Sequence, residues 1–330
     1  MNLFATALTY TAPSANYRGE SEMNRAVIQR VTVGRFEYPI ISPEAIRNAL
    51  REELNAFGLP CNRERLDDED QLAVKFRDYP WPEKYADDFF FGYMVAHRNQ
   101  VKLEKLNGRK FQFKRDSIFR MNLALALEPY RHDALFTQSP LTKESPWQNA
   151  TTSALLHRET SVNAFQYPFA INVADCHLDR ADPLTPDEVS PGGHTYASQG
   201  ERNKDWLCYL LRAVAELNDV AGNHARSYFE MAPASIVLRV SDSLVAGYDL
   251  YAFQPDGSLP EVVQGILAGD YPGNEFLLGG QIVREKLSDT ERAGLRAKGT
   301  RCYRMASHAL DSVARQATGR GFLSQPAVEV

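Results

Sequence analysis

Apolar positions follow two periods along this chain. Residues 2–10 alternate well enough to predict an opening strand, which Pro13 ends. Val27, Val31 and Val33 belong to a β-branched run, Gly34 breaks it, and Phe36 to Ile41 resumes the pattern, predicting a hairpin. Ser42 then stands where a helix N-cap belongs and Pro43 at the first helical position. Ile46, Ala49, Leu50, Leu54 and Phe57 recur at three- and four-residue spacing, until Gly58 and Pro60 stop the helix.

Farther on, Asn107-Gly108 predicts a hairpin tip, and residues 128–153, rich in Pro, Ser, Thr, Gln and Asn, an extended loop. Residues 155–173 alternate as a strand, with Pro168 marking an edge or bulge. A second amphipathic helix runs from Trp206 to Val220, followed by strands at 233–240 and 244–253 and a turn-rich stretch at 254–280. The sequence Ser288-Asp289-Thr290-Glu291 is a capping box that opens a short helix, and a last helix covers 305–318. From Gln325 the tail has little to hold it. Strand, hairpin, helix, long insertion, strand, helix, strand is an order compatible with an α+β, ferredoxin-like sheet carrying large insertions.

With 330 residues and 44% apolar content, the chain can bury a large core. No apolar run reaches the roughly 18 residues needed to span a bilayer, and residues 1–30 carry no secretory signal pattern, which predicts a cytoplasmic protein without a membrane partner. Cys61, Cys176, Cys208 and Cys302 are widely spaced, as reduced core residues would be. The seven histidines have no ligand spacing, and there is no GxSxG, P-loop or GxGxxG, so neither a metal, a cofactor nor a catalytic set is expected.

A formal net charge of −5 argues mildly against a dedicated nucleic-acid binder, but the charge is unevenly placed. From Glu64 to Asp88 acids outnumber basic residues nine to four, and from Arg98 to Arg120 basic residues outnumber acids eight to two. In the basic stretch Lys105, Arg109, Lys110, Lys114 and Arg115 interleave with Phe111, Phe113 and Phe119, a composition that suits either a nucleic-acid surface or a charged surface hairpin. On the first helix Arg47 and Arg51 lie one turn apart on one side and repel unless an anion lies between them. The helix N-terminus with Ser42 offers a second anion site. Pairing with Glu52 and Glu53 on a solvated face is the plainer alternative.

Three stretches resemble a known family: PIISPEAIRNALR at 39–51, FQYPFA at 165–170 and GNHARS at 222–227. They are similar to the DevR-like branch of the CRISPR-associated backbone proteins, the RAMP-superfamily subunit present in several copies in type I Cascade complexes, with type I-B implied here. The resemblance implies a modified RRM-like palm (1–57 and 154–330), a finger-like insertion (58–127) and a thumb-like loop (128–153). It implies a non-catalytic, RNA-binding role in antiviral defence.

The expected partners are the guide CRISPR RNA, target DNA, neighbouring copies, other Cascade subunits and a recruited helicase-nuclease. A CRISPR-associated transposon complex, with its own transposition factor, would use the same subunit. Carried over by position, the RNA-binding residues are Ser42, Glu44, Arg47, Arg51, Arg18 in the loop before the hairpin, and Arg226; Glu44 departs from the amide usual there. Lys105, Arg109, Lys110, Lys114 and Arg115, from the basic and aromatic composition, are the expected nucleic-acid contacts of the finger. Two alternatives stay open. One is a ribonuclease of the type III backbone kind, with Asp133 in the thumb, marked by target-RNA cleavage that disappears in Asp133→Ala. The other is an unrelated metabolic enzyme, which would need a tight small-molecule pocket.

Overall fold

The computed structural model describes residues 1–14, 16–17, 25–65, 74–95, 105–106, 109–110, 112–138, 155–185, 195–220 and 230–330. Its centre is a nine-stranded mixed sheet. From one edge the strands are Arg301–Tyr303, Phe276–Gly280, Ser235–Ser241, Asn2–Leu8, Phe165–Asn172, Ala124–Ala126, Phe36–Ile41 and Arg30–Val33, with Phe119–Met121 also pairing Phe165–Asn172. Asn2–Leu8 is antiparallel to both neighbours, Phe165–Asn172 and Ser235–Ser241. Those two strands are therefore parallel to each other, and helix α3 (Gln199–Ala215) lies between them in sequence. Ala124–Ala126 is antiparallel to Phe165–Asn172, and hence parallel to Asn2–Leu8, with helix α1 (Pro43–Ala56) between them in sequence. Two interleaved strand–helix–strand units result.

Alternation sorts the core onto the two faces of the sheet. On one face Leu3, Phe165, Tyr167, Phe169 and Leu238 join the apolar stripes of α1, α3 and helix α6 (Ala306–Thr318). On the other, Phe4, Leu8, Val237, Phe276 and Leu278 pack with Val262, Ile266 and Leu295 of helices α4 (Pro260–Ala268) and α5 (Asp289–Ala297). Pro168 is tolerated in this central strand for a local reason. Its carbonyl accepts from the Asn122 N–H, so its missing N–H faces the same side, where the neighbour changes from Phe119–Met121 to Ala124–Ala126.

The opening strand, the hairpin at 30–41, α1 with its Ser42 cap, the Ser288 capping box and α6 form as the sequence predicts. Lys105–Leu106 pairs with Arg109–Lys110, as a hairpin should.

Other stretches differ. Residues 155–173 break at Ala164 into two strands in different sheets, Leu155–Asn163 and Phe165–Asn172. The expected strand at 244–253 is a folded loop: Val245 N–H bonds back to Ser243 Oγ and Gly247 adopts φ +69, both incompatible with an extended run. The turn-rich 254–280 contains α4 and a buried strand, Phe276–Gly280.

The insertion at 58–127 gives its last two strands, Phe119–Met121 and Ala124–Ala126, to the main sheet. Within 128–153, Asp133–Gln138 pairs with Leu155–Asn163, so the chain leaves and returns as a ribbon. The C-terminus is held: Val330 N–H donates to the Cys302 carbonyl at 2.9 Å and Glu329 accepts from Tyr303 Oη. All four cysteines are free and buried, and among the described residues no helix is long and apolar enough to cross a membrane.

Candidate nucleic-acid interface

The start of α1 is fixed by Ser42, whose Oγ accepts the Ala45 N–H at 3.2 Å, with Pro43 supplying a helical φ. Ala45, Ile46, Ala49, Leu50 and Leu54 bury one stripe. On the flank, Arg47 and Arg51 face one cleft of about 610 Å³. Its far wall comes from the insertion: Arg63 on the strand Arg63–Arg65, Phe91 and Gly92 at the end of helix α2 (Ala86–Phe91), and Lys114 and Arg115 on a strand paired with Tyr93–Met94.

Five cations thus meet in one place, and the carboxylates among them are already engaged. Glu44 pairs with Arg47 at 3.5 Å, Asp116 with Lys114 at 3.8 Å and buried Asp87 with Arg51 at 3.7 Å. The Nε atoms of Arg47, Arg51, Arg63 and Arg115 are buried without a hydrogen-bond partner among the described residues. Burial, then the charge of Arg63, pulls the Arg51 guanidinium down to about 10. Arg47 is lowered chiefly by burial, which Glu44 opposes and Arg63 reinforces. Cations driven down by burial and by each other are stabilised by an anion in their midst.

Arg51 is only 6% exposed: it donates to Asn48 Oδ1 and lies 5.0 Å from the centre of the Phe91 ring. It therefore forms the floor of the cleft, and Arg47, half-buried, its accessible rim. Arg51 and Arg63 also line a second cleft, of about 830 Å³, where Arg77 joins them but Glu52, Glu53, Glu64 and Asp219 balance the charge.

Beneath the insertion wall sits a buried polar network. Asp87 accepts the N–H groups of Asn62 at 2.7 Å and Arg63 at 3.1 Å, while Asp88 accepts from Asn62 Nδ2 at 2.8 Å and Trp81 N–H at 3.0 Å. Burial, then the neighbouring Asp87 charge, raises the Asp88 carboxyl to about 7. The native state thus binds a proton that the unfolded chain has released above its ordinary carboxylate pKa of about 4. The contribution of Asp88 to stability is expected to fall as pH rises from about 4 to about 7 and then to level off. Denaturant titrations of wild type and Asp88→Asn across this window would check it, the variant giving the flatter profile.

Of the residues singled out from the sequence, Glu44, Arg47, Arg51, Lys114 and Arg115 are brought together in this cleft, with Ser42 at the adjoining helix start. Arg18 and Arg226 lie outside the described residues, as do the side chains of Lys105, Arg109 and Lys110. Asp133 is exposed and its carboxylate accepts the Ala134 N–H. Among the described residues no group of three or more His, Cys, Asp or Glu side chains could hold a metal. Arg63 was missed because it stands just before the acid-rich stretch that begins at Glu64. The available signal was the Arg63-Glu64-Arg65 alternation, which in a strand puts both arginines on one face.

No family model matches the chain. It is 28% identical over 304 residues to the CRISPR-associated protein Cas7/Cst2/DevR of Myxococcus xanthus (strain DK1622), covering 88% of this chain and 90% of that protein. Solved structures share its fold, two of them as follows. One described as "CRISPR RNA-guided surveillance complex, pre-nicking" matches 96% of this chain and all of the other, with a TM-score of 0.57 and 12% identity. One described as "CRISPR RNA-guided surveillance complex" matches with the same coverage, a TM-score of 0.52 and 14% identity. Over most of its length the chain is thus similar in sequence to the CRISPR-associated protein Cas7/Cst2/DevR, and it shares its fold with chains of RNA-guided surveillance complexes.

Proposed function

We propose that the protein is a non-catalytic backbone subunit of a type I Cascade surveillance complex, of the I-B kind, several copies of which hold a guide RNA by its sugar-phosphate backbone. The observation that carries this is the cleft beside α1, where Arg47 and Arg51 meet the cations of the insertion and four buried guanidinium Nε atoms have no hydrogen-bond partner among the described residues. Guide sequences vary, so such a subunit grips phosphate and ribose and leaves base edges free for target DNA. The name of the Myxococcus relative and the RNA-guided complexes that share the fold support the same reading.

In this reading the two interleaved strand–helix–strand units are an RRM-like palm, the segment after α1 is the finger region and residues 128–153 are the thumb. Ser42 and Glu44 adjoin the RNA at the helix start, and Arg18, Arg226, Lys105, Arg109 and Lys110 extend the basic track. Neighbouring copies, other Cascade subunits, target DNA and a recruited helicase-nuclease or transposition factor are the partners.

The test is Arg47→Glu, made at the accessible rim so that the buried Arg51–Asp87 pair is untouched. Binding of several unrelated single-stranded RNAs is measured over a salt series. Affinity is expected to be independent of sequence, to fall with salt, and to weaken in the variant with a slope shallower by about 0.7 per lost phosphate contact. A variant that binds as wild type does would reduce Arg47 to a solvated side chain and remove the RNA face proposed here.

A further inference from the structure

We infer that Arg63 is a phosphate-binding residue of this cleft, held in place by Asp87 and Gly92, so that the RNA backbone is gripped from the insertion wall as well as from α1. The inference rests on the reading of the cleft as a guide-strand groove and adds a residue that neither the sequence reading nor the named relatives assign.

Three contacts fix Arg63. Its N–H donates to Asp87 Oδ2 at 3.1 Å, its Nη2 donates to the Gly92 carbonyl at 2.7 Å, and its guanidinium lies 4.9 Å from the centre of the Phe76 ring. The first holds the backbone and the other two set the plane of the fork before any ligand arrives, which lowers the entropic cost of binding. Among the described residues its Nε is nevertheless buried without a hydrogen-bond partner, and none of their carboxylates forms an ion pair with its side chain. A guanidinium is seldom left so placed, because desolvating its donors costs free energy that only an acceptor returns.

Proximity makes the same point. The charge of Arg63 contributes to lowering both Arg47 and Arg51, so the three cations share one field. Asp87 serves two of them, accepting the Arg63 backbone N–H while pairing with the Arg51 side chain. It therefore couples the floor of the cleft to its far wall. A phosphodiester entering between α1 and the strand at 63–65 would meet Arg47 on one side and Arg63 on the other, above a floor made by Arg51.

The experiment compares wild type, Arg63→Gln, Arg63→Lys and Arg47→Glu for binding to an unstructured single-stranded RNA, and to DNA of the same sequence, across a salt series. Arg63→Gln is expected to weaken binding about tenfold, as loss of a charge-assisted contact does. Its salt slope should be shallower by about 0.7, with the same loss on DNA. Arg63→Lys should restore the slope but only part of the affinity, since an ammonium cannot keep the fork geometry.

If Arg63→Gln binds with wild-type affinity and slope while Arg47→Glu is weakened, α1 alone grips the strand and the inference falls. If Arg47→Glu is silent too, the parent reading falls with it. A loss confined to RNA would give Arg63 to a ribose hydroxyl and overturn the phosphate assignment. Should Arg63→Gln also lower the thermal midpoint, the series is run at a temperature where both proteins are fully folded at every salt concentration, and an unchanged slope there overturns the inference.

Discussion

Asp87→Ala is expected to destabilise the protein by about 3–5 kcal/mol, the cost of removing one partner from a buried ion pair. Asp87 is 1% exposed and carries three interactions: the N–H groups of Asn62 and Arg63, and the Arg51 guanidinium at 3.7 Å. Alanine leaves two donors without their acceptor and a buried cation uncompensated. Asp87→Asn keeps an oxygen for the N–H groups and should cost less. The double variant Arg51→Met/Asp87→Ala should be more stable than Asp87→Ala alone, because the stranded charge goes with Arg51. Urea unfolding of the three proteins gives the comparison. Equal losses in Asp87→Ala and the double variant would mean that the two backbone donors, not the charge, set the cost.

Gly92→Ala is expected to cost about 3 kcal/mol or more and to weaken RNA binding with it. Gly92 sits at φ 63 and ψ −174, a conformation nearly confined to glycine. A Cβ there would meet the Arg115 carbonyl oxygen at 2.3 Å and the Asp116 carbonyl carbon at 2.8 Å, both backbone atoms that cannot turn aside. Relief requires the Tyr93–Met94 strand to part from Lys114–Arg115, which moves one wall of the cleft and the carbonyl that orients Arg63. Denaturant midpoint and RNA affinity should fall together. A stable variant with undiminished affinity would show that this wall is not needed for binding.

What the sequence made legible was local. Ser42, Pro43 and the period of Ile46, Ala49, Leu50 and Leu54 specify α1 within one stretch of chain, and Arg47 and Arg51 share a flank by spacing alone. Their environments could not be read this way. Arg51 is buried because α2, more than thirty residues later, brings Asp87 and Phe91 against it, and nothing near Arg51 announces that. The FQYPFA run likewise looked like an edge because of Pro168. Only the change of partner from one short strand to the next lets a proline sit in the middle of the sheet. The strand expected at 244–253 failed where serine side chains bonded to nearby backbone, a competition that alternation does not register.

The position of the first strand has a consequence for synthesis. Asn2–Leu8, an uncharged and wholly buried segment, pairs only with Phe165–Asn172 and Ser235–Ser241. At about 5–20 residues per second, a ribosome leaves it without either neighbour for roughly ten seconds or more. Throughout that interval the nascent chain carries a short apolar β-segment with no native partner, the kind of sequence that seeds aggregation. Slowing elongation upstream of codon 165 should therefore lower the soluble yield, and holdase chaperones that cover the first ten residues should raise it.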